Sequence, residues 1–93
     1  VSEITIKQWV TLENAKGLHA RAAAKFVKVS CSFEADAQVK SGDIIVSGRS
    51  IMGLLMLAAT KGTKLEIYTS GRDAEALMKA LQELICHRFN EEN

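Results

Sequence analysis

Gly17-Leu18-His19-Ala20-Arg21, running straight into Ala22-Ala23-Ala24-Lys25-Phe26-Val27, is the stretch whose residue types and spacing could do chemistry. The glycine suits a turn and the alanine run a helix, so the histidine falls where a helix begins. A helix start exposes backbone N–H groups without intrahelical partners, together with the positive end of the dipole, and both favour an anion. With an imidazole there the anion can be covalent. Neutral His19 offers one ring nitrogen as a nucleophile, and a phosphoryl group bonded to it would meet the helix N–H groups and the Arg21 guanidinium. A single histidine near a helix start is also an ordinary surface or capping residue, and this window alone does not separate the two roles.

The elements that must position this histidine follow from the periodicity. From Glu3 to Leu12, Ile4, Ile6, Val10 and Leu12 share one face, broken only by Gln8, against Glu3, Thr5, Lys7 and Thr11, which predicts a half-buried strand. Trp9 takes the outward parity. Glu13 to Gly17 form a loop, and a helix runs from His19 or Ala20 to Ser30 with Ala23, Phe26, Val27 and Ser30 inward. Arg21, Lys25 and Lys28 make a basic stripe that starts beside His19, either a solvated face or a surface for an acidic partner. Phe33 to Lys40 alternate completely, Ser41-Gly42-Asp43 turn, and Ile44-Ile45-Val46 return as the second arm of a hairpin.

Ser50 to Thr60 reads as a helix with Ser50 as N-cap and apolar residues nearly all round. Leu54, Leu57 and Ala58 can face the sheet, which leaves Ile51, Met52 and Leu55 as a second apolar face open to a partner. Leu65, Ile67 and Thr69 alternate with an outward set, Glu66, Tyr68 and Ser70, in a fourth strand. Asp73 suits an N-cap and Glu75 a first turn, ahead of the apolar stripe Ala74, Leu77, Met78, Leu81, Leu84, Ile85 and Phe89. The tail Asn90-Glu91-Glu92-Asn93 is expected to fray. The order β-α-β-β-α-β-α predicts an α+β open-faced β-sandwich: one domain, residues 1–93, with an antiparallel sheet and its helices on one face.

Composition narrows the function classes. A 93-residue chain with 47% hydrophobic and 25% charged residues has globular usage, and a formal net charge of +1 is too small for the broad basic footprint of a nucleic-acid binder. A sheet that reads RNA also needs stacking aromatics, whereas the outward positions here are mainly Glu34, Asp36, Gln38, Lys40, Glu66 and Ser70, with Tyr68 the sole aromatic. No run approaches the roughly 18 apolar residues of a membrane span, and the first residues lack a secretion-signal pattern, so an intracellular, cytoplasmic location is expected. Cys31 and Cys86 lack metal-ligand spacing and are expected to be free thiols packed in the core.

On these residues the chain resembles the HPr family, the histidine-containing phosphocarriers of the bacterial phosphoenolpyruvate-dependent phosphotransferase system. The likeness rests on Gly17-Leu18-His19-Ala20-Arg21 with Ala23 to Val27, on Arg49-Ser50-Ile51-Met52-Gly53-Leu54, on Lys61-Gly62-Thr63 and on Ser70-Gly71. It implies a four-stranded antiparallel sheet with three helices on one face, His19 phosphorylated on Nδ1, and Arg21 beside the phosphate. It also implies a carrier, not an enzyme, that needs neither cofactor nor metal; a shuttle that exposes one surface to successive partners is expected to be a monomer. Enzyme I, charged by phosphoenolpyruvate, would be the donor and an EIIA-type domain the acceptor. Ala20, Arg21, Ala24, Ile51, Met52 and Leu55 match the docking surface, and Ser50 matches the serine modified by HPr kinase/phosphorylase in some bacteria. Many members carry proline where this chain has Ala22, which keeps the helix and supplies one more N–H. The wording resembles regulatory, nitrogen-related branches of the family as well as sugar carriers, so a regulatory adaptor is the alternative within the family. A small ligand- or RNA-binding module of similar element order is the alternative outside it.

Overall fold

Alternating apolar and polar residues build four strands, and two amphipathic helices with one short apolar helix cover the apolar side they create. The computed structural model describes residues 5–91. The elements are β1 (Thr5–Thr11), α1 (Ala20–Ser30), β2 (Asp36–Ser41), β3 (Ile44–Ser47), α2 (Ile51–Met56), β4 (Lys64–Ser70) and α3 (Ala74–Cys86), followed by a single 3-10 turn, Arg88–Asn90. The strands form one antiparallel sheet in the order β1-β4-β2-β3. This is the α+β open-faced sandwich expected from the sequence. Ile4 and Glu3, assigned to the first strand, lie outside the described residues, as do Glu92 and Asn93.

The core forms where the inward parity of the sheet meets the helix stripes. Val39, Leu65 and Ile67 from the strands pack with Phe26 of α1 and Leu77 and Leu81 of α3, all buried. Leu54 of α2 closes the same cluster. Ala22 joins Ala23 on the buried face of α1, although the sequence stripe omitted it.

Several boundaries differ from the sequence expectation, each for a tertiary reason. The second strand begins at Asp36, not Phe33. The Glu34 N–H donates to Asp73 Oδ2 and the Glu34 carbonyl accepts from Asp73 N–H, so these backbone groups serve the loop before α3. Asp73 therefore holds the N-cap position of α3 without capping it through its side chain.

The apolar helix α2 is shorter than Ser50–Thr60. It stops at Met56, and Ala58 takes a left-handed conformation (φ 49°) and is exposed, so it does not face the sheet. Ala59, one residue on, is buried and its carbonyl accepts the N–H of Leu18 at 2.9 Å. That contact turns the chain out of the helix.

Glu66, on the outward parity, is 6% exposed. Register places Trp9 and Lys40 on either side of it, and the hydroxyl of Tyr68 donates to its carboxylate. The cysteines are free as expected but both are exposed, not packed in the core. Cys31 caps the C-terminus of α1 and Cys86 is the last residue of α3.

The C-terminus departs furthest. α3 ends at Cys86, and Arg88, Phe89 and Asn90 have φ of 55°, 55° and 61°. This left-handed turn buries Phe89 completely, though not as a continuation of the α3 stripe.

Candidate functional site

His19 is the N-cap of α1. Its backbone is extended (φ −86°, ψ −178°), and its own carbonyl accepts the Ala23 N–H at 2.8 Å. Gly17 sets this entry. It has φ +62°, and a Cβ there would lie 2.5 Å from the Ala59 carbonyl oxygen, closer than any side chain tolerates. Asn14 braces the loop from within: it is fully buried, and its Nδ2 donates to the Gly17 carbonyl at 2.7 Å.

The two ring nitrogens of His19 are told apart by their partners. The Arg21 backbone N–H points at Nδ1 over 3.3 Å, and because a backbone amide only donates, Nδ1 must be the acceptor. Nε2 lies 2.5 Å from the Glu91 carboxylate, which accepts, so Nε2 carries the hydrogen. The ring is thus held as the Nε2–H tautomer with the Nδ1 lone pair aimed at the start of α1. The first turn of α1 itself contains no acidic residue; the carboxylate nearest this helix start is that of Glu91, on the far side of the His19 ring from Nδ1.

Glu91 is itself held by two further contacts, one to its carboxylate and one to the turn before it. Asn14 Nδ2 donates to its second carboxylate oxygen at 3.0 Å, and Lys25 Nζ donates to the Phe89 carbonyl at 2.5 Å, tying the preceding turn to α1. Its side chain is 13% exposed. Burial works to raise its carboxyl pKa, but the hydrogen bonds from Asn14 and His19 and the nearby charges of His19 and Lys25 outweigh burial, so it sits below its ordinary value. The tail expected to fray is, at Glu91, part of the site.

The other predicted residues divide into two groups. Arg21 is exposed, and among the described residues no carboxylate pairs with its guanidinium. Ala20 and Ala24 are exposed on α1; Ile51 (40%) and Met52 (71%) are exposed on α2, and Leu55 is half-buried. α1 and α2 pack against each other. Met56, also 71% exposed, extends the apolar surface of α2; the apolar face drawn from the sequence omits it, although it lies four residues, about one helical turn, after Met52.

Ser50 caps α2, its Oγ accepting the Gly53 N–H at 3.0 Å, and it makes no hydrogen bond to the His19 cluster. Arg49 anchors that cap to the residue just before β2 through the Ala35 carbonyl at 2.8 Å. Among the described residues no three His, Cys, Asp or Glu side chains converge as a metal site, and no helix is long and apolar enough to cross a membrane.

A histidine nitrogen with its lone pair turned to a helix start, on an open-faced α+β sandwich, is an arrangement suited to a small phosphoryl carrier. The family model described as "PTS HPr component phosphorylation site" matches residues 6–86. The phosphocarrier protein HPr of Neisseria meningitidis is 45% identical over 86 residues, covering 92% of this chain and 97% of that one. The phosphocarrier protein NPr of Shewanella violacea is 35% identical over 86 residues, covering 92% and 94%. Among solved structures, the HPr of Thermoanaerobacter tengcongensis superposes with a TM-score of 0.85 at 35% identity, covering all of both chains. The chain belongs to the HPr family of phosphotransferase-system phosphocarriers, which carry phosphoryl groups and are not enzymes.

Proposed function

We propose that residues 1–93 are a single HPr-like domain whose His19 accepts phosphate on Nδ1 from enzyme I, charged by phosphoenolpyruvate, and passes it to an EIIA-type domain in the cytoplasm. The observation that carries this reading is the Nδ1 lone pair at the N-cap of α1, with the Arg21 N–H against it. When Nδ1 takes phosphorus, that N–H is released to a phosphoryl oxygen, beside a dipole end that already favours negative charge. The Arg21 guanidinium, unpaired among the described residues, is free to fold over the phosphate and balance its charge. Imidazole is a good leaving group, so the phosphate stays transferable, and the partner proteins supply the catalysis.

Ala20, Ala24, Ile51, Met52 and Leu55 form the docking surface, with Met56 at its margin. A carrier that offers one such face to successive partners works as a monomer. Phosphate on Ser50 is a stable ester, and hence a switch where an HPr kinase/phosphorylase is present. It adds two charges beside the apolar patch and weakens docking. Likeness to an NPr as well as to HPr carriers supports a second reading, a regulatory adaptor whose partners bind according to its phosphorylation state.

The test is incubation with phosphoenolpyruvate, Mg²⁺ and enzyme I, followed by intact mass. Wild type gains one acid-labile phosphate and His19→Ala gains none. Absence of phosphate on wild type with an active enzyme I overturns the carrier reading. Transfer onward to EIIA domains of the sugar and the regulatory branches then separates transport from regulation.

A further inference from the structure

We propose that Glu91 is a positioning residue for phosphoryl transfer, holding the His19 ring in its Nε2–H tautomer and balancing the charge the ring acquires when Nδ1 bonds to phosphorus. The proposal rests on the carrier reading of His19, but Glu91 lies beyond the span matched by the family model, residues 6–86.

Three observations carry it. Nε2 of His19 and Oε2 of Glu91 are 2.5 Å apart, and the two residues are 24% and 13% exposed, so the pair is largely screened from water. Glu91 is also fixed independently of His19, by Asn14 at 3.0 Å and by the Lys25 bond to Phe89 O. Finally, the chain reaches this position through three successive non-glycine residues with positive φ, Arg88 to Asn90, a conformation that L-residues adopt only where other contacts enforce it.

The chemistry follows from the ring. The Nδ1 lone pair forms the N–P bond while the donor's bond to phosphorus breaks and its electron pair leaves with the donor. No proton has to leave His19: the ring keeps Nε2–H and becomes positive. A carboxylate on Nε2 stabilises that charge as it develops, as the buried aspartate of a Ser-His-Asp triad does for its imidazolium. The charge also keeps the phosphorylated ring a good leaving group for the next transfer.

Two measurements on the full chain test this. ¹⁵N spectra of histidine-labelled protein report the tautomer of His19 before any phosphorylation, with His87 as internal reference. Wild type shows a bare Nδ1 and a protonated Nε2, and Glu91→Ala shifts the ring to a tautomer mixture. The rate of phosphorylation is then read with phosphoramidate, a small donor that needs no docking surface, and with enzyme I. Glu91→Gln, which keeps a hydrogen-bond acceptor and removes the charge, slows both by about fivefold, and Glu91→Ala by about tenfold or more, as expected from exchanging a charged for a neutral hydrogen bond or losing it.

Equal slowing with both donors marks an effect on the ring and not on docking. Unchanged ¹⁵N spectra and rates in both variants overturn the Glu91 assignment and leave the carrier reading intact. Slowing with enzyme I alone also overturns it, because the role is then in docking. Wild type that takes phosphate from neither donor defeats the carrier reading, and with it the charge-balancing role of Glu91.

Discussion

Gly17 presses its backbone against the carbonyl of Ala59, so that a Cβ on Gly17 would sit 2.5 Å from that oxygen and 2.7 Å from Thr60 Cα. The same carbonyl accepts the Leu18 N–H at 2.9 Å. One contact therefore ends α2, begins α1 and sets the backbone from which His19 projects. Gly17→Ala meets both a positive φ and a backbone collision and is expected to lose about 2–4 kcal/mol of stability. Gly42→Ala is the control: it has a similar φ of +59° with nothing within 4 Å, and is expected to lose only about 1–2 kcal/mol. Urea denaturation of the two variants measures the difference, and equal losses would show that the Ala59 contact is not a constraint.

Ser50 has a structural duty that can be separated from its proposed regulatory one. Removing its Oγ leaves the Gly53 N–H uncapped, and Ser50→Ala is expected to cost about 1 kcal/mol. Ser50→Asp keeps an acceptor at the cap and is expected to retain most of that stability while weakening the complex with enzyme I through its charge. Thermal melts and calorimetric titration read the two effects. An aspartate variant that binds as tightly as wild type removes the case for a switch at Ser50.

Local spacing made the front of the site legible and distance along the chain hid the rest. Glycine, histidine and arginine at 17, 19 and 21, followed by a helix-forming run, announce a helix start that can hold an anion. The capping serine at 50 and the sheet parity were readable for the same reason, since each depends on neighbours a few residues away. Glu91 was not: it is 72 residues from His19, and it arrives through a left-handed turn made without glycine, where periodicity had continued the α3 stripe to Phe89. Leu57 to Ala59 look helical in composition, but Ala58 turns left-handed and the Ala59 carbonyl goes to the Leu18 N–H instead of to a following turn of helix. Alternation likewise put Glu66 on the outward face but could not show that Trp9 and Lys40 flank it, which depends on strand register.

Met52 tests the proposed docking surface with little structural interference. At 71% exposure, Met52→Glu is expected to change folding stability by less than about 0.5 kcal/mol. A charge at the centre of an apolar contact costs binding about 2 kcal/mol, roughly a 30-fold weaker complex with enzyme I. Calorimetry against enzyme I, beside a melt of the free protein, gives both numbers. A well-folded variant with unchanged affinity places the interface elsewhere.

The anchoring of the C-terminal turn depends on acid in a definite direction. The Glu91 carboxyl sits below its ordinary value of 4.5 in the folded chain: burial opposes ionisation, but Asn14, His19 and Lys25 together favour it more. A carboxyl lowered by folding contributes stability that is present above the unfolded value and lost as pH falls through the folded one. Amide exchange at Asn90 and Glu91, whose N–H groups donate to the His87 and Arg88 carbonyls, is therefore expected to stay protected at neutral pH and to lose protection as pH falls from the ordinary carboxyl value of 4.5 through the lower folded one, once allowance is made for the intrinsic rate. In Glu91→Gln that acid-dependent step disappears. Protection in wild type that is independent of pH would show that Glu91 does not hold the turn.

Tyr68 gives the opposite sign on the open face of the sheet. Its hydroxyl donates to the Glu66 carboxylate, and that hydrogen bond, with lesser contributions from burial and from the carboxylate charge, raises its pKa above the ordinary 10.0. Because the fold favours the protonated phenol, its contribution to stability is complete below pH 10.0 and is lost as pH rises through the higher folded value. The chain has one tyrosine, so the absorbance of tyrosinate reports this group alone. Wild type is expected to titrate above pH 10.0, and Glu66→Gln, which removes the carboxylate charge, to titrate closer to it. Identical curves for the two proteins would mean that the hydrogen bond between Tyr68 and Glu66 does not persist in solution, leaving Lys7, 3.8 Å away, as the partner of the buried Glu66 carboxylate.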